Sequence, residues 1–257
     1  MSRIKELYHY RQMLFSLVLT DLRTRYKGSV LGFLWTFLNP LLMLLVYSFV
    51  FSNIMRMNID NYPMFLFVAI LPWIFFQSSI QNSINIIIRN GNLVKKIYFP
   101  REVLPISAVL GGAINYLFGL AVLIPALLIS GISLKPAILL LPFILLIQAL
   151  LTLGISFIVS ALNVYFRDLE HIVAFLLQLG FYLTPIIFPV QLLPEKFWPF
   201  FRLNPLTGIF EAYREVLFYG KAPEVSFFVK HGLFSVIILI IGWIVFHLLQ
   251  KKFAEEI

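Results

Sequence analysis

One short stretch of the sequence holds the residue types that acid–base catalysis or metal binding would use. In YFRDLEH, Asp168, Glu170 and His171 lie within four positions of one another, and carboxylates and imidazoles are common proton-transfer groups and metal ligands. The other histidines are scattered, and none has a partner at a metal-ligand spacing: His9, His231 and His247. A charged turn in water explains the cluster better. We therefore expect no catalytic residue and no metal site in this chain.

Other chemistries are disfavoured by what the sequence lacks. There is no cysteine, so disulfides and thiolate metal sites are excluded. The phosphate-binding pattern GxxxxGK[ST] does not occur, so ATP does not bind by that route. The long apolar runs carry no embedded Asp, Glu, Lys or Arg, which ion-coupled transporters use as relays. If the chain moves a substrate, its energy source is another polypeptide.

A cationic and aromatic segment, RNGNLVKKIYFPRE, occupies residues 89–102. A short helix here could sit in a groove of a cytoplasmic ATPase, and its movement would pass to the elements on both sides. The alternative is a positive loop that only sets membrane topology, and the residues alone leave both open. The candidate coupling residues are Arg89, Lys95, Lys96, Tyr98, Phe99 and Arg101.

The elements that must position these groups are membrane spans. Hydrophobic residues make up 60% of the 257 residues and charged residues 12%, against about 45–50% and 25% in soluble domains. Six charge-free runs reach the roughly 20 residues needed to cross a bilayer. We predict an all-α integral membrane protein, a single transmembrane domain over residues 1–257, with spans at 30–52, 63–86, 103–129, 137–162, 172–189 and 230–250.

The distribution of Lys and Arg predicts the orientation. Thirteen of these cations fall on the side of both termini and seven on the other, so the termini are expected in the cytoplasm. Residues 4–24 alternate apolar and polar at helical spacing, which predicts an amphipathic helix in the cytoplasmic headgroup region. The alternative is a helix packed on a partner.

Three spans carry small or neutral polar residues at helical spacing. Such stripes let helices pack closely and hydrogen-bond, and they can also line a polar pathway. We favour packing for any single stripe, although three in one small chain favour a conduit for at least one. The stripes are Gln77, Gln81 and Asn85; Gly111, Asn115 and Gly119; and Gln148, Thr152 and Ser156.

Residues 190–220 precede the last span and are too rich in structure to be a plain connection. In NPLTGIFEAYREVLFYG, Asn204 is a helix N-cap, Pro205 the first helical residue and Gly220 lies beyond the end. The charges Glu211 and Arg214 fall at a spacing that permits pairing. We predict short helices dipping into the outer interface, either as an external gate or as a cap that only packs on the spans.

Four ordered motifs then point to a family. RYKGSVLGFLWTFLNPLLMLLVYSFVFS, LVKKIYFPREVLPIS, FLLQLGFYLTPIIFP and NPLTGIFEAYREVLFYG resemble the permease subunits of ABC type 2 polysaccharide exporters. These are the Wzm-like O-antigen exporters and their teichoic-acid and capsule relatives. The resemblance covers nearly the whole chain and is less specific for the substrate than for the family.

The resemblance implies a transporter rather than an enzyme. Two permease copies would pair with two copies of a separate ATPase, which binds ATP and Mg²⁺, in the bacterial inner membrane. The complex would export a glycan carried on undecaprenyl pyrophosphate, most readily O-antigen. The 89–102 segment would be the cytoplasmic gate and coupling region. The periplasmic gate would include Asn204, Pro205, Glu211 and Arg214.

Residue roles follow from the family and from sugar chemistry together. Family channels have aromatic linings, and sugar C–H faces pack on aromatic rings; the candidates are Trp35, Phe37, Tyr47, Trp73 and Tyr182. A pyrophosphate needs cations at the cytoplasmic boundary. Besides Lys95, Lys96 and Arg101, the candidates are Arg23, Arg25 and Lys27, which attraction to anionic lipid would also explain. The alternatives are a type 2 permease for teichoic acid, capsule, a drug or a small lipid, and an enzyme of lipid-linked sugars.

Overall fold

The computed structural model describes residues 3–24, 29, 31–50 and 59–257, and throughout these ranges the secondary structure is helical, without β-strands. The predicted all-α class is confirmed. The α-helices of the described residues are α1 Arg3–His9, α2 Arg11–Thr24, α3 Trp35–Ser48, α4 Tyr62–Ile84, α5 Ile86–Arg89, α6 Gly91–Lys96, α7 Val103–Ile129, α8 Leu141–Tyr165, α9 Leu169–Tyr182, α10 Trp198–Leu203, α11 Pro205–Leu217, α12 Val225–Leu249 and α13 Phe253–Glu256.

Four helices of the described chain are long and apolar enough to cross a membrane: α4, α7, α8 with its preceding 3₁₀ turn, and α12 with its following turn. Helices α3 and α9 are also apolar, but each has only 14 residues. Helix α9 ends at Tyr182, so the predicted 172–189 span is helical only in its first part. The chain is therefore a membrane protein with at least four long apolar helices.

Helix α4 is the centre of the bundle, and α12 is at its edge. In the most apolar 18-residue window of each helix, 78% of α4 is buried against 17% of α12. Helix α4 packs on α7 and α8, and the Gln148 amide of α8 donates to the Pro72 carbonyl of α4 over 2.7 Å. The α12 face left uncovered is apolar, as a lipid-facing surface requires.

The tightest helix crossing joins α8 to α12 at two glycines. A Cβ on Gly154 would lie 2.7 Å from the Ile238 carbonyl carbon and oxygen, and a Cβ on Gly242 would contact the Gly154 backbone. Only glycine allows two backbones to approach this closely. The α8–α12 pair is consequently held by main-chain contact as well as by side-chain packing.

One end of the bundle carries both chain termini, and we call it the terminal end. The predicted 4–24 helix is divided there at Tyr10 into α1 and α2. Its apolar residues do not share one environment: Val18 is buried within the protein, whereas Tyr8 and Phe15 are exposed. A small cluster of buried residues lies at this end: Ile87, Val94, Phe99, Leu104, Phe157, Ala161, Val164, Phe246 and Phe253.

Candidate functional site

A cleft between α3, α4 and α9 combines aromatic rings with side-chain amides. Its volume is about 370 Å³, and its polar lining comes from Gln77 and Gln81 of α4 and Gln178 of α9. The Trp73 indole N–H donates to the Gln77 side-chain oxygen over 2.9 Å, which fixes the amide beside the ring. This lining is uncharged, apolar on its ring faces and able to hydrogen-bond.

Three of the five aromatic residues predicted to line a channel come together in this cleft: Tyr47, Trp73 and Tyr182. Trp73 is 3% exposed and forms the floor, where it packs on the rings of Phe181 and Phe210. Tyr182 is 61% exposed and stands at the rim. The cleft therefore has a rigid aromatic floor and a more accessible aromatic edge.

The other two aromatic candidates lie outside the cleft. The Trp35 indole donates to the Ser29 hydroxyl over 2.9 Å, and the Phe37 ring packs edge-on against Phe118 of α7 with centroids 5.5 Å apart. Among the lining residues with an amide or an aromatic ring, sequence reasoning missed two, Gln178 and Phe181. The signal for them was a glutamine within the apolar run FLLQLGFY.

A second cavity of about 370 Å³ lies between α3, α4 and α7, and Met43 and Ile74 line both cavities. Asn115 of the predicted α7 stripe lines it, and both of its amide atoms are buried with no hydrogen-bond partner among the described residues. The stripe's glycines instead serve packing: a Cβ on Gly119 would lie 2.9 Å from the Leu71 side chain. The α7 stripe thus has a polar role only at Asn115.

The α8 stripe serves packing. Gln148, Thr152 and Ser156 are all fully buried. The Thr152 hydroxyl donates to the Gln148 carbonyl over 2.7 Å, and Gln148 donates to Pro72 as described. At the terminal end, the Asn163 amide donates to the Asn85 side-chain oxygen over 2.8 Å, so Asn85 joins α4 to α8. Of the α4 stripe, only Gln77 and Gln81 line the cleft.

The 89–102 segment projects from the terminal end as α6 and a turn. Lys95, Lys96 and Tyr98 are exposed, Tyr98 to 83%, whereas Phe99 is buried. The Tyr10 hydroxyl donates to the Tyr98 carbonyl over 3.1 Å, and Arg101 donates to the Gln250 carbonyl. The segment is therefore anchored at its end and presents two cations and an aromatic ring at its tip, with Arg89 exposed nearby.

Of the pyrophosphate candidates on α2 and beyond, Arg23 is exposed near the end of α2. Arg25 and Lys27 lie outside the described residues. In the turn between α8 and α9, Asp168, Glu170 and His171 are all exposed, as expected of a solvated turn. Among the residues that the structure describes, no group of three or more His, Asp or Glu side chains could hold a metal ion.

At the end of the bundle opposite the termini, α11 holds the chain that follows α9. Asn204 is the N-cap of α11 and accepts from the Leu206 N–H over 3.0 Å, Pro205 follows it, and Gly220 beyond the helix has φ 62°. These three predictions are confirmed. The Asn204 amide also donates to the Thr184 hydroxyl over 2.9 Å.

Arg214 has hydrogen-bond partners that its spacing from Glu211 did not predict. Arg214 is 3% exposed, and its guanidinium donates to the carbonyls of Phe65, Pro185 and Ile186. The guanidinium carbon lies 3.7 Å from the Phe65 ring centroid. Burial lowers the pKa of Arg214 to about 10, so the group still carries its charge at neutral pH. Arg214 thus ties α11, α4 and the residues after α9 together.

The family is settled by comparison with known proteins. The chain belongs to the ABC-2 type transporter family, whose sequence profile matches residues 12–218. The resemblance predicted from the four motifs is confirmed, and the chain is a transport permease rather than an enzyme, with the ATPase in a separate subunit.

Individual relatives extend the match to nearly the full chain. The chain is 37% identical to the O-antigen export system permease protein RfbA of Myxococcus xanthus, over 99% of this chain and 98% of that protein. It is 38% identical to RfbA of Klebsiella pneumoniae over 91% of each chain. It is 28% identical to the polysialic acid transport protein KpsM of Escherichia coli over 88% of this chain and 89% of that protein.

Proposed function

We propose that this chain is the membrane-spanning subunit of an ATP-driven exporter of lipid-linked polysaccharide, with O-antigen on undecaprenyl pyrophosphate as its substrate. The observation that carries the proposal is the 37% identity to an O-antigen export permease along almost the entire chain. The cleft supports it, because its rings suit the C–H faces of sugars and its glutamines suit their hydroxyls. The cleft lining carries no charge, so a neutral glycan can slide without a deep binding minimum.

We place the terminal end in the cytoplasm of a bacterial inner membrane, following the excess of Lys and Arg there. In this orientation α3 and α9 are the two remaining spans of the six, and α10 and α11 form the periplasmic gate with Asn204, Pro205, Glu211 and Arg214. Arg23, with the cations of the 89–102 segment, lies on the side where the pyrophosphate of a substrate would enter.

A second copy of the chain completes the conduit in this proposal. Both helices beside the cleft expose large apolar side chains, which a partner permease or lipid must cover. The exposed residues include Leu41, Leu42, Leu45 and Val46 of α3 and Phe175, Leu176 and Leu179 of α9. Two clefts facing each other would enclose one channel.

The direct test is transport by a reconstituted complex. The chain is co-expressed with its ABC ATPase, purified, and placed in vesicles with undecaprenyl-linked O-antigen. We expect the ATPase to co-purify and the glycan to cross the membrane only when ATP is supplied. Transport by the permease alone, or failure to retain any ATPase, would overturn the proposal. Transport of a capsular polysaccharide in place of O-antigen would instead favour the function named for the polysialic acid relative.

Charge reversal at the tip of the 89–102 segment tests the coupling role. Replacing Lys95 and Lys96 with glutamate should reduce ATPase co-purification about tenfold or more, because both side chains project into solvent and reversal makes a complementary acidic groove repulsive. The ratio of ATPase to permease in the purified complex measures this. Arg167→Glu is the matched control, since Arg167 is also an exposed cation, in the α8–α9 turn. Equal retention in both variants contradicts the coupling assignment.

Truncation of the rim aromatic tests the conduit. Tyr182→Ala should lower the rate of glycan export several-fold, because one exposed aromatic contact is worth about 0.5–1.5 kcal/mol, while the bound ATPase stays unchanged. Export rates in the reconstituted complex provide the measurement. Phe143→Ala is the control, because Phe143 is 57% exposed on α8 and does not line the cleft. An unchanged rate for Tyr182→Ala argues against this cleft as the path.

A further inference from the structure

The C-terminal tail, residues 250–257, does not simply leave the membrane after α12. A 3₁₀ turn, Gln250–Lys252, separates α12 from α13, and α13 packs on α6 and on α8. Phe253 is completely buried, with its ring centroid 5.5 Å from that of Phe246 and 6.4 Å from that of Tyr165. The complete burial of Phe253 shows that this segment is docked on the bundle.

Polar contacts join the tail to the last residues of the 89–102 segment. Arg101 donates to the Gln250 carbonyl, and its guanidinium carbon lies 5.8 Å from the Phe253 ring centroid. The Gln250 amide donates to the carboxylate of Glu102 over 3.2 Å, and Glu102 is 2% exposed. A buried carboxylate held in this way is sensitive to displacement of its donor.

A third contact reaches the start of α6. A Cβ built on Gly91 would lie 3.9 Å from the Cβ of Ile257 and 2.6 Å from its Cγ2. The last residue of the chain therefore packs directly on the Gly91 backbone. The tail spans the 89–102 segment from Gly91 to Glu102.

The contacts of the tail determine which helices are connected to the 89–102 segment. The segment is joined by the chain itself to α4 and α7. Helix α12 packs most extensively on α8, and the glycine crossing holds those two helices together. The tail continues from α12, and the Tyr165 hydroxyl at the end of α8 donates to the Leu249 carbonyl over 2.8 Å. The tail consequently connects the segment to the α8–α12 pair.

We propose that the C-terminal tail transmits movement of the 89–102 segment to the α8–α12 pair, with Gln250 and Phe253 as positioning residues. The proposal rests on the proposed function, in which the ATPase acts on that segment. Without the tail, movement of the segment would reach α8 only through its packing on α4 and α7 and bonds such as Gln148–Pro72, with no direct connection from the segment to α12.

Removal of the buried ring is the first test, made in the complete complex with its ATPase. Phe253→Ala, and a chain ending at Lys252, should retain the ATPase and hydrolyse ATP within twofold of the unmodified rate while glycan export falls about tenfold or more. Glu255→Gln is the control, because Glu255 is exposed on the same helix and should leave both rates unchanged. Undiminished export in Phe253→Ala overturns the proposal, as does loss of the ATPase, which would make the tail a docking element.

Crosslinking gives a second test that removes no contact. The natural chain has no cysteine, and the 3.9 Å between the Cβ positions of 91 and 257 is within the range for a disulfide. The double variant Gly91→Cys, Ile257→Cys should therefore form an intramolecular disulfide on oxidation. If the tail and the segment move as one body, the oxidised complex exports at the same rate as the reduced complex. Export that stops on oxidation and returns on reduction shows that the tail must detach in each cycle, which contradicts the proposal.

Export by the unmodified complex is measured in parallel, so that a failure of the proposed function can be distinguished from a failure of the proposed role of the tail. Absence of export by that complex overturns the proposed function and this inference with it. Loss of export confined to the Phe253 variants, with hydrolysis preserved, supports the tail's role and leaves the proposed function intact.

Discussion

Arg214→Met is expected to prevent accumulation of a folded permease. The substitution keeps an unbranched apolar stem but removes all the donors, which leaves the buried carbonyls of Phe65, Pro185 and Ile186 without their partner. Hydrogen bonds to a charged group are worth about 1.5–3 kcal/mol each, and unsatisfied buried groups add a cost of similar size. We expect destabilisation of about 3 kcal/mol or more. Size-exclusion profiles and melting temperatures of the permease in detergent measure the effect.

Two further variants show whether loss of the Arg214 guanidinium itself causes the destabilisation. Arg214→Lys should be intermediate, because one ammonium cannot match the planar fork that reaches several carbonyls. Lys230→Met removes an exposed cation near the start of α12 and should melt like the unmodified chain. If Arg214→Met melts at the unmodified temperature, the buried arginine is not what holds α11 to α4 and the residues after α9.

Gly242→Ala is expected to separate α8 from α12, although the change adds only one methyl group. The added carbon would overlap the Gly154 backbone, with the Gly154 carbonyl carbon 2.9 Å away. Backbone cannot move aside as a side-chain tip can, so the cost lies at the upper end of the roughly 1–3 kcal/mol typical of overpacking. Thermal melting in detergent should show a clear decrease, and Gly154→Ala should behave in the same way.

The matched control is the same change ten residues earlier in the same helix. A Cβ on Gly232 would meet only Ile147 Cδ1, at 4.0 Å. Gly232→Ala should therefore be neutral or stabilising, because alanine is favoured over glycine in a helix by about 0.5–1 kcal/mol. Only the substitution at 242 is therefore expected to lower the melting temperature. Equal effects at 232 and 242 would contradict the close backbone crossing.

Local features of this chain could be predicted from sequence. The ends of α11 depend only on neighbouring residues: the N-cap Asn204, the Pro205 that follows it and the Gly220 beyond the helix. The local sequence pattern was therefore sufficient to predict them. Helix α7 occupies the predicted residues 103–129, because charges on both sides limit where an apolar segment can begin and end. The aligned Gln77 and Gln81 also predicted a polar face that the cleft uses.

Features that depend on distant residues could not be predicted. Spacing predicted only local partners such as Glu211 for Arg214, and it could not predict the carbonyl acceptors, which lie 28 to 149 residues away. The docking of Phe253 could not be predicted either, because it depends on Tyr165 at the end of α8 and on Arg101 in the turn before α7. Glycine stripes predicted close packing of helices, but they did not identify the partner helix. The contact between Gly154 and Gly242 is visible only in the structure.

The short helix α9 beside the cleft has a consequence for the lipid around the protein. Fourteen residues rise about 21 Å as an α-helix, well below the roughly 30 Å of a typical hydrocarbon core, whereas the 25 residues of α12 rise about 37 Å. This hydrophobic mismatch is resolved by local thinning of the bilayer or by polar residues reaching the interface. The bilayer should therefore be thinner beside α9 than beside α12. A lipid-linked glycan arriving from the membrane would have the shortest distance to cross at the side where the cleft lies.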